Sequence, residues 1–141
     1  MTGPPDPAVL RVLVCDDNDL LRDVLTELLA AQPDLEPAGS AADTDDAVRL
    51  VTLLRPHVVV LDVRFPGGGP ETARRIAHTA PDTGILAFSA YADAGTVASM
   101  RSAGAREYLV KGATNAEFLA AVRRVGRPSA ALSPPGPADR P

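Results

Sequence analysis

Five side chains in this sequence have types that suit phosphate and hard-cation chemistry, and they occupy equivalent places. Asp16 and Asp17 follow the apolar run Val9-Leu10-Arg11-Val12-Leu13-Val14-Cys15. Asp62 follows His57-Val58-Val59-Val60-Leu61, with Pro66-Gly67-Gly68-Gly69-Pro70 soon after. Ser89 closes Gly84-Ile85-Leu86-Ala87-Phe88, and Lys111 follows Arg106 to Val110. Short apolar runs rich in β-branched residues and closed by turn formers read as buried strands. Each of the five therefore stands at the C-terminal end of a strand. A parallel sheet delivers all of its strand ends to one rim, where open α/β sheets hold their ligands.

Three carboxylates, a hydroxyl and an ammonium then converge on one crevice. Asp17 and Asp62 can share Mg²⁺, which takes oxygen ligands in octahedral geometry, usually one or two carboxylates with waters and phosphate. The backbone carbonyl of Arg64 can complete the protein's share. Clustered carboxylates repel one another, and a cation relieves this. Asp62 can serve as a nucleophile and form an aspartyl phosphate. Phosphoryl transfer asks little more of a protein than in-line positioning and charge neutralisation. Lys111 and the Ser89 hydroxyl can take the phosphoryl oxygens that the cation does not, and Ala90 leaves room for a phosphodonor.

The elements that must position these groups alternate along the chain. Strand 1 is about 9–15, and helix 1 about 19–31, capped by Asn18 or Asp19 and ended by Pro33. Strand 2, about 35–41, is weak and polar, and helix 2, about 44–54, is capped by Asp43 or Thr44 and stopped by Pro56. Strand 3 is 57–62, and helix 3, about 70–80, opens with Pro70. Strand 4 is 84–89, and helix 4, about 93–103, ends at Gly104. Strand 5 is 106–110; helix 5, about 115–125, opens on the capping box Thr114-Asn115-Ala116-Glu117 and closes at Gly126 and Pro128. Five βα units with short loops predict a single doubly wound five-stranded parallel sheet with helices on both faces. Strand 1, wholly apolar, is expected to be central and strand 2 outermost. Right-handed crossovers then favour the flavodoxin-like order 2-1-3-4-5.

The chain has 141 residues, which suits one core, and its net charge of −4 comes without a basic cluster. A direct nucleic-acid footprint is therefore not expected. A single cysteine, Cys15, excludes an internal disulfide and reads as a small core residue. No apolar stretch approaches the roughly 20 residues of a membrane span. The N-terminus lacks signal-peptide features, so a cytoplasmic protein without membrane contact is expected. Three prolines in the first seven residues and five from Arg127 to Pro141 predict a disordered N-terminus over 1–7, a folded domain over 8–125 and a Pro-rich tail or linker over 126–141.

The acid pair Asp16-Asp17, Val60-Leu61-Asp62-Val63 with Pro66-Gly67, Ser89-Ala90 and Tyr108-Leu109-Val110-Lys111-Gly112 together resemble the CheY-like receiver domain of bacterial two-component response regulators. The resemblance covers about residues 9–125. It implies that Asp62 is the phosphoacceptor, that Asp16 and Asp17 support Mg²⁺, and that Ser89 and Lys111 contact the phosphoryl group. Tyr108 is by the same token the switch aromatic that turns inward when Ser89 moves. The partner so implied is a sensor histidine kinase, and the output is dimerisation or control of an attached domain. The stretches Asp62-Val63-Arg64-Phe65-Pro66-Gly67 and Tyr108 to Ala113 look most like the LuxR/NarL-type subfamily, which usually carries a C-terminal helix-turn-helix and regulates transcription. The 16 residues after Val125 are too few for that DNA-binding part, so the chain is expected to be a truncated regulator. Gly112 stands where many receivers have proline, so no cis peptide is expected there. Gly67-Gly68-Gly69 lacks the bulky residue of many relatives and allows a loose loop beside Asp62.

Each residue also has a plainer reading. The acid pair can be a helix-capping turn, Ser89 a strand-end hydroxyl, Lys111 a solvated lysine and Tyr108 simple packing. His57 and His78 lack partners at ligand spacing and read as structural. The triple glycine is no P-loop, because no Gly-Lys-Ser/Thr follows, and no G-x-G-x-x-G follows strand 1. The competing functions are a receiver-like interaction module that is never phosphorylated and an aspartate-nucleophile hydrolase. Nothing in a module requires all five polar groups. The hydrolase commonly carries a second acid two residues beyond the nucleophile, where this chain has Arg64. A phosphoacceptor that assists its own modification, rather than an enzyme, is the reading carried forward.

Overall fold

The structure, a computed structural model, describes residues 8–127. The expectations for 1–7 and for 128–141 lie outside the described residues. Ten elements alternate in chain order: β1 (Leu10–Cys15), α1 (Asp19–Ala30), β2 (Leu35–Ala41), α2 (Thr44–Leu54), β3 (Val58–Leu61), α3 (Gly69–Thr79), β4 (Gly84–Ser89), α4 (Ala94–Ser102), β5 (Glu107–Val110) and α5 (Asn115–Gly126).

The helix starts follow from their caps. Asn18, Asp43, Asp93 and Thr114 stand in extended conformation, and each side chain accepts the backbone N–H of a first-turn residue. Those amides have no partner inside the helix, so a side-chain oxygen at this place is worth about 1 kcal/mol. Thr114 and Glu117 form the reciprocal capping box. Gly104, at φ +121°, follows the end of α4. At the other end of the chain α5 continues through Gly126 with Arg127 as its C-cap, so Gly126 is part of the helix rather than its stop. A Cβ on Gly126 would lie 2.7 Å from Leu10 Cδ1, so glycine lets the last turn approach β1.

All strand pairs are parallel and the order is β2-β1-β3-β4-β5, as the chain pattern predicts. β1 is an interior strand, flanked by β2 and β3, as its apolar run predicts. The apolar run of β1 reflects burial on both faces, which any interior strand shares. β2 is an edge, as expected, and its pairing slips between Val12 and Leu13, where Pro37 faces Val12 and Gly39 faces Leu13. Proline has no N–H for the ladder and is tolerated at such an edge. β5, the other edge, spans 4 residues.

Side chains alternate along each strand into two cores. Leu13, Cys15, Val59, Leu61, Ile85 and Ala87 face α2, α3 and α4, meeting Val51, Ile76 and Met100. Leu10, Val12, Val14, Val58, Val60 and Leu86 face α1 and α5, meeting Leu29, Phe118 and Val122. Burial pushes the Cys15 thiol well above its ordinary range, as expected for a core residue.

The N-terminal edge of the sheet is closed by polar bonds. Arg11 N–H donates to His57 Nδ1 at 2.9 Å, and His57 N–H donates to Arg11 O at 2.9 Å. The Arg11 guanidinium reaches the carbonyls of Leu54 and Arg55. His57 Nδ1 must therefore be unprotonated. Burial first, then the charges of Arg11 and Arg127, hold its pKa below the ordinary value. The unfolded chain protonates His57 near pH 6.5, whereas the folded chain resists until lower pH. Stability is thus complete above about pH 6.5 and is lost as pH falls through the folded-state value. Thermal melting between pH 7.5 and pH 5.5 should show a fall in midpoint that is smaller in His57→Gln; equal falls would remove His57 as a cause.

Candidate functional site

Strand register dictates what meets at the C-terminal rim. Cys15 pairs with Leu61, Leu61 with Ala87, and Ser89 with Val110. The next residues, Asp16 and Asp62, are thereby neighbours at the ends of β1 and β3, and Lys111 follows the end of β5. Asp62 N–H donates to Cys15 O at 3.1 Å, which carries the β1–β3 ladder one step into the rim. Lys111 N–H donates to Ser89 O at 2.8 Å and does the same for β4 and β5.

Asp16 and Asp62 are buried, 3% and 7% exposed, while Asp17 is exposed. Carboxylate oxygens of all three lie within 4.8 Å of one another. The Lys111 ammonium lies between two of them, 2.8 Å from Asp16 Oδ2 and 3.1 Å from Asp62 Oδ2. Buried carboxylates require such a partner. Burial alone disfavours the ammonium, but its hydrogen bonds to Asp16 and Asp62 outweigh that, and the Lys111 pKa is held above its ordinary value. The outer oxygens are also engaged: Asn18 N–H donates to Asp16 Oδ1 at 2.9 Å, and Arg64 N–H to Asp62 Oδ1 at 3.2 Å. The donor set suits a hard divalent cation, since it offers carboxylate oxygens from three residues in one place.

Ser89 is fully buried, and its Oγ accepts the N–H of Tyr91 at 3.2 Å. Tyr108 is half-buried against the core beneath α3 and α4, and its hydroxyl donates to the Tyr91 carbonyl. Burial raises the Tyr108 pKa, against a hydrogen-bond contribution from Ser89, and Asp93 and Asp62 add to the rise. No peptide bond among the described residues is cis, Lys111–Gly112 included. His78 is exposed at the end of α3, away from this rim.

Two features escape a reading of strand ends. Tyr91, exposed on the loop after β4, carries the Arg64 guanidinium 4.9 Å above its ring while its backbone bonds Ser89 and Tyr108. Nothing local in the sequence announces that role, because Arg64 and Tyr91 belong to different βα loops. The second is the glycine loop, which is tightly held rather than loose. Phe65, 2% exposed, is sunk into the core. Gly68 N–H donates to Phe65 O at 2.8 Å, Gly69 N–H to Val63 O at 3.0 Å, and Thr44 N–H to Pro66 O at 3.0 Å. A Cβ on Gly69 would lie 2.5 Å from Val63 O, so the turn admits no side chain there.

A family model described as the response regulator receiver domain matches residues 12–123. Among curated proteins, the response regulator GacA of Pseudomonas viridiflava is 35% identical over 127 residues, covering 89% of this chain and 59% of GacA. The chain thus spans about three-fifths of the length of that relative. Among solved structures, the signal receiver domain of the putative response regulator NarL from Mycobacterium tuberculosis superposes with a TM-score of 0.81 at 29% identity, over 88% of this chain and 99% of that one. The receiver domain of sensor histidine kinase PA1611 from Pseudomonas aeruginosa PAO1, solved with a magnesium ion coordinated in the active site cleft, gives 0.75 at 25% identity, over 84% and 98%.

The Tyr108 hydroxyl ties β5 to the loop after β4 at this rim. Tyr108→Phe should lower stability by about 0.5–1 kcal/mol in urea denaturation, the worth of one partly exposed hydrogen bond. An unchanged midpoint would mean that water replaces the bond without loss.

Proposed function

This chain belongs to the response regulator receiver family of two-component systems, and on that premise we propose that Asp62 accepts a phosphoryl group from a histidine kinase. The observation that carries the proposal is the Lys111 ammonium bonded to both Asp16 and Asp62 beside a third carboxylate, Asp17. Such a cluster offsets the negative charge around the nucleophile.

In the proposed reaction, a carboxylate oxygen of Asp62 attacks phosphorus in line with the phosphohistidine nitrogen. The new P–O bond forms as the P–N bond breaks, and the imidazole leaves with the bonding pair and takes a proton from solvent. Asp16, Asp17, Asp62 and the Arg64 carbonyl would hold Mg²⁺. When bound, that ion supplies positive charge to the phosphoryl oxygens. Lys111 turns part of its hydrogen bonding from the carboxylates to the phosphoryl group. The Ser89 hydroxyl leaves the Tyr91 N–H to donate to another phosphoryl oxygen. The group adds about −1.5 to −2 charge at neutral pH. Drawing in Ser89 and Lys111 removes support from Tyr91 and Tyr108, and so biases the α4–β5–α5 face between two arrangements. That face then governs dimerisation or an output domain, with transcription control in a longer parent protein. The chain works as a phosphoacceptor that assists its own modification, not as an enzyme for another substrate. Among the described residues, no helix is long and apolar enough to cross a membrane.

Incubation with acetyl phosphate and Mg²⁺ should add one phosphoryl group by intact-mass measurement. Asp62→Asn, or wild type with excess chelator, should add none. If the wild-type chain binds Mg²⁺ but gains no group from either acetyl phosphate or a phosphorylated kinase, it is a phosphorylation-independent interaction module instead.

A further inference from the structure

Thr44 and Thr72 are buried, 6% and 0% exposed, on α2 and α3, and neither belongs to the acidic rim. Thr44 opens α2, so its N–H has no partner within the helix; it goes to Pro66 O at 3.0 Å, and Thr44 Oγ1 reaches the same carbonyl at 2.9 Å. Thr44 Oγ1 also lies 2.6 Å from Thr72 Oγ1, which is 2.7 Å from Gly68 O. Gly68 O accepts the Thr72 N–H as well, at 2.9 Å.

Two hydroxyl protons thus serve three contacts. An oxygen–oxygen separation of 2.6 Å needs a proton between the atoms. The other proton goes to Pro66 O or to Gly68 O, and each carbonyl keeps a backbone N–H either way. The pair therefore fills its hydrogen bonds in both arrangements. Gly67, between the two carbonyls, has φ +99°, and a Cβ there would lie 2.0 Å from Thr44 Oγ1. The loop from Asp62 to Gly69 is consequently gripped from two sides. Asp62 Oδ1 holds the Arg64 N–H on the rim, and the threonine pair holds Pro66 and Gly68 on the far side.

We infer that Thr44, through its contact with Thr72, is a positioning residue for the acceptor site. It fixes the loop whose start supplies Asp62 and the Arg64 carbonyl to the cation. The inference rests on the phosphoacceptor reading. It is separated from a role in fold stability by reading Mg²⁺ affinity and melting independently in each variant. What Thr44→Val changes is the contact: a methyl cannot stay 2.6 Å from the Thr72 oxygen, so the loop must shift.

The test is Mg²⁺ titration by calorimetry of wild type, Thr44→Ser, Thr44→Val and Thr72→Val, with thermal melting of each in chelator. Removing a group that orients metal ligands typically weakens binding by about tenfold or more. Thr44→Val and Thr72→Val should each bind Mg²⁺ about tenfold more weakly, and Thr44→Ser, which keeps the hydroxyl, should match wild type. If Thr44→Val does not fold in chelator, Thr72→Val decides, since it breaks the same contact. Equal affinities throughout, or a loss in Thr44→Ser as large as in Thr44→Val, would overturn the inference. Absence of Mg²⁺ binding by the wild-type chain would instead overturn the phosphoacceptor reading, and the inference with it.

Discussion

A single ammonium held between two buried carboxylates is the constraint that organises this molecule. Adjacent strands lie about 4.8 Å apart, so acids at the ends of β1 and β3 are forced together whatever their side chains prefer. Lys111 relieves that crowding from β5, two strands from Asp62 and three from Asp16. Its side chain must cross the end of β4 to get there. The residues at that point are Ser89 and Ala90, both small. Sheet order, strand length and the size of side chains on β4 are therefore coupled to one electrostatic requirement. Loss of the lysine would leave two buried carboxylates with no cationic partner, a situation proteins rarely tolerate.

The second organising element is Tyr91, whose backbone bonds both Ser89 and Tyr108 and whose ring carries Arg64. Ser89 sits inside the rim and Tyr108 at its outer side, so a group that claims the Ser89 hydroxyl also frees one of the bonds that orient Tyr91. The Tyr91–Tyr108 bond is then the next to feel the change. Two hydrogen bonds on one residue thus join the site to the β5 edge, with no intervening side chain.

The fold was readable in the chain because four of the five helices open on a capping side chain, α3 opens with Pro70, and the interior strands are short apolar runs closed by turn formers. The site was readable for a related reason. In a parallel sheet, knowing where strands end is nearly the same as knowing what shares the rim, so Asp16, Asp17, Asp62, Ser89 and Lys111 could be grouped before any contact was known. What could not be read depends on pairs far apart in sequence. Gly126 looks like a helix stop, yet it permits close packing on Leu10. Three glycines suggest slack, but side chains on Gly67 and Gly69 would run into Thr44 and Val63, and Gly68 stands at φ +95°. Thr44, Thr72 and Tyr91 carry no local signature, since their importance lies in contacts across loops.

The two edges of the sheet have a consequence outside signalling. An unpaired strand edge offers a row of backbone donors and acceptors to any neighbouring chain. Here β2 breaks that row with Pro37 and a slipped register, and β5 is only 4 residues long. Neither edge presents a continuous template. A protein of this design can be concentrated with little risk that strand-to-strand pairing turns association into aggregation.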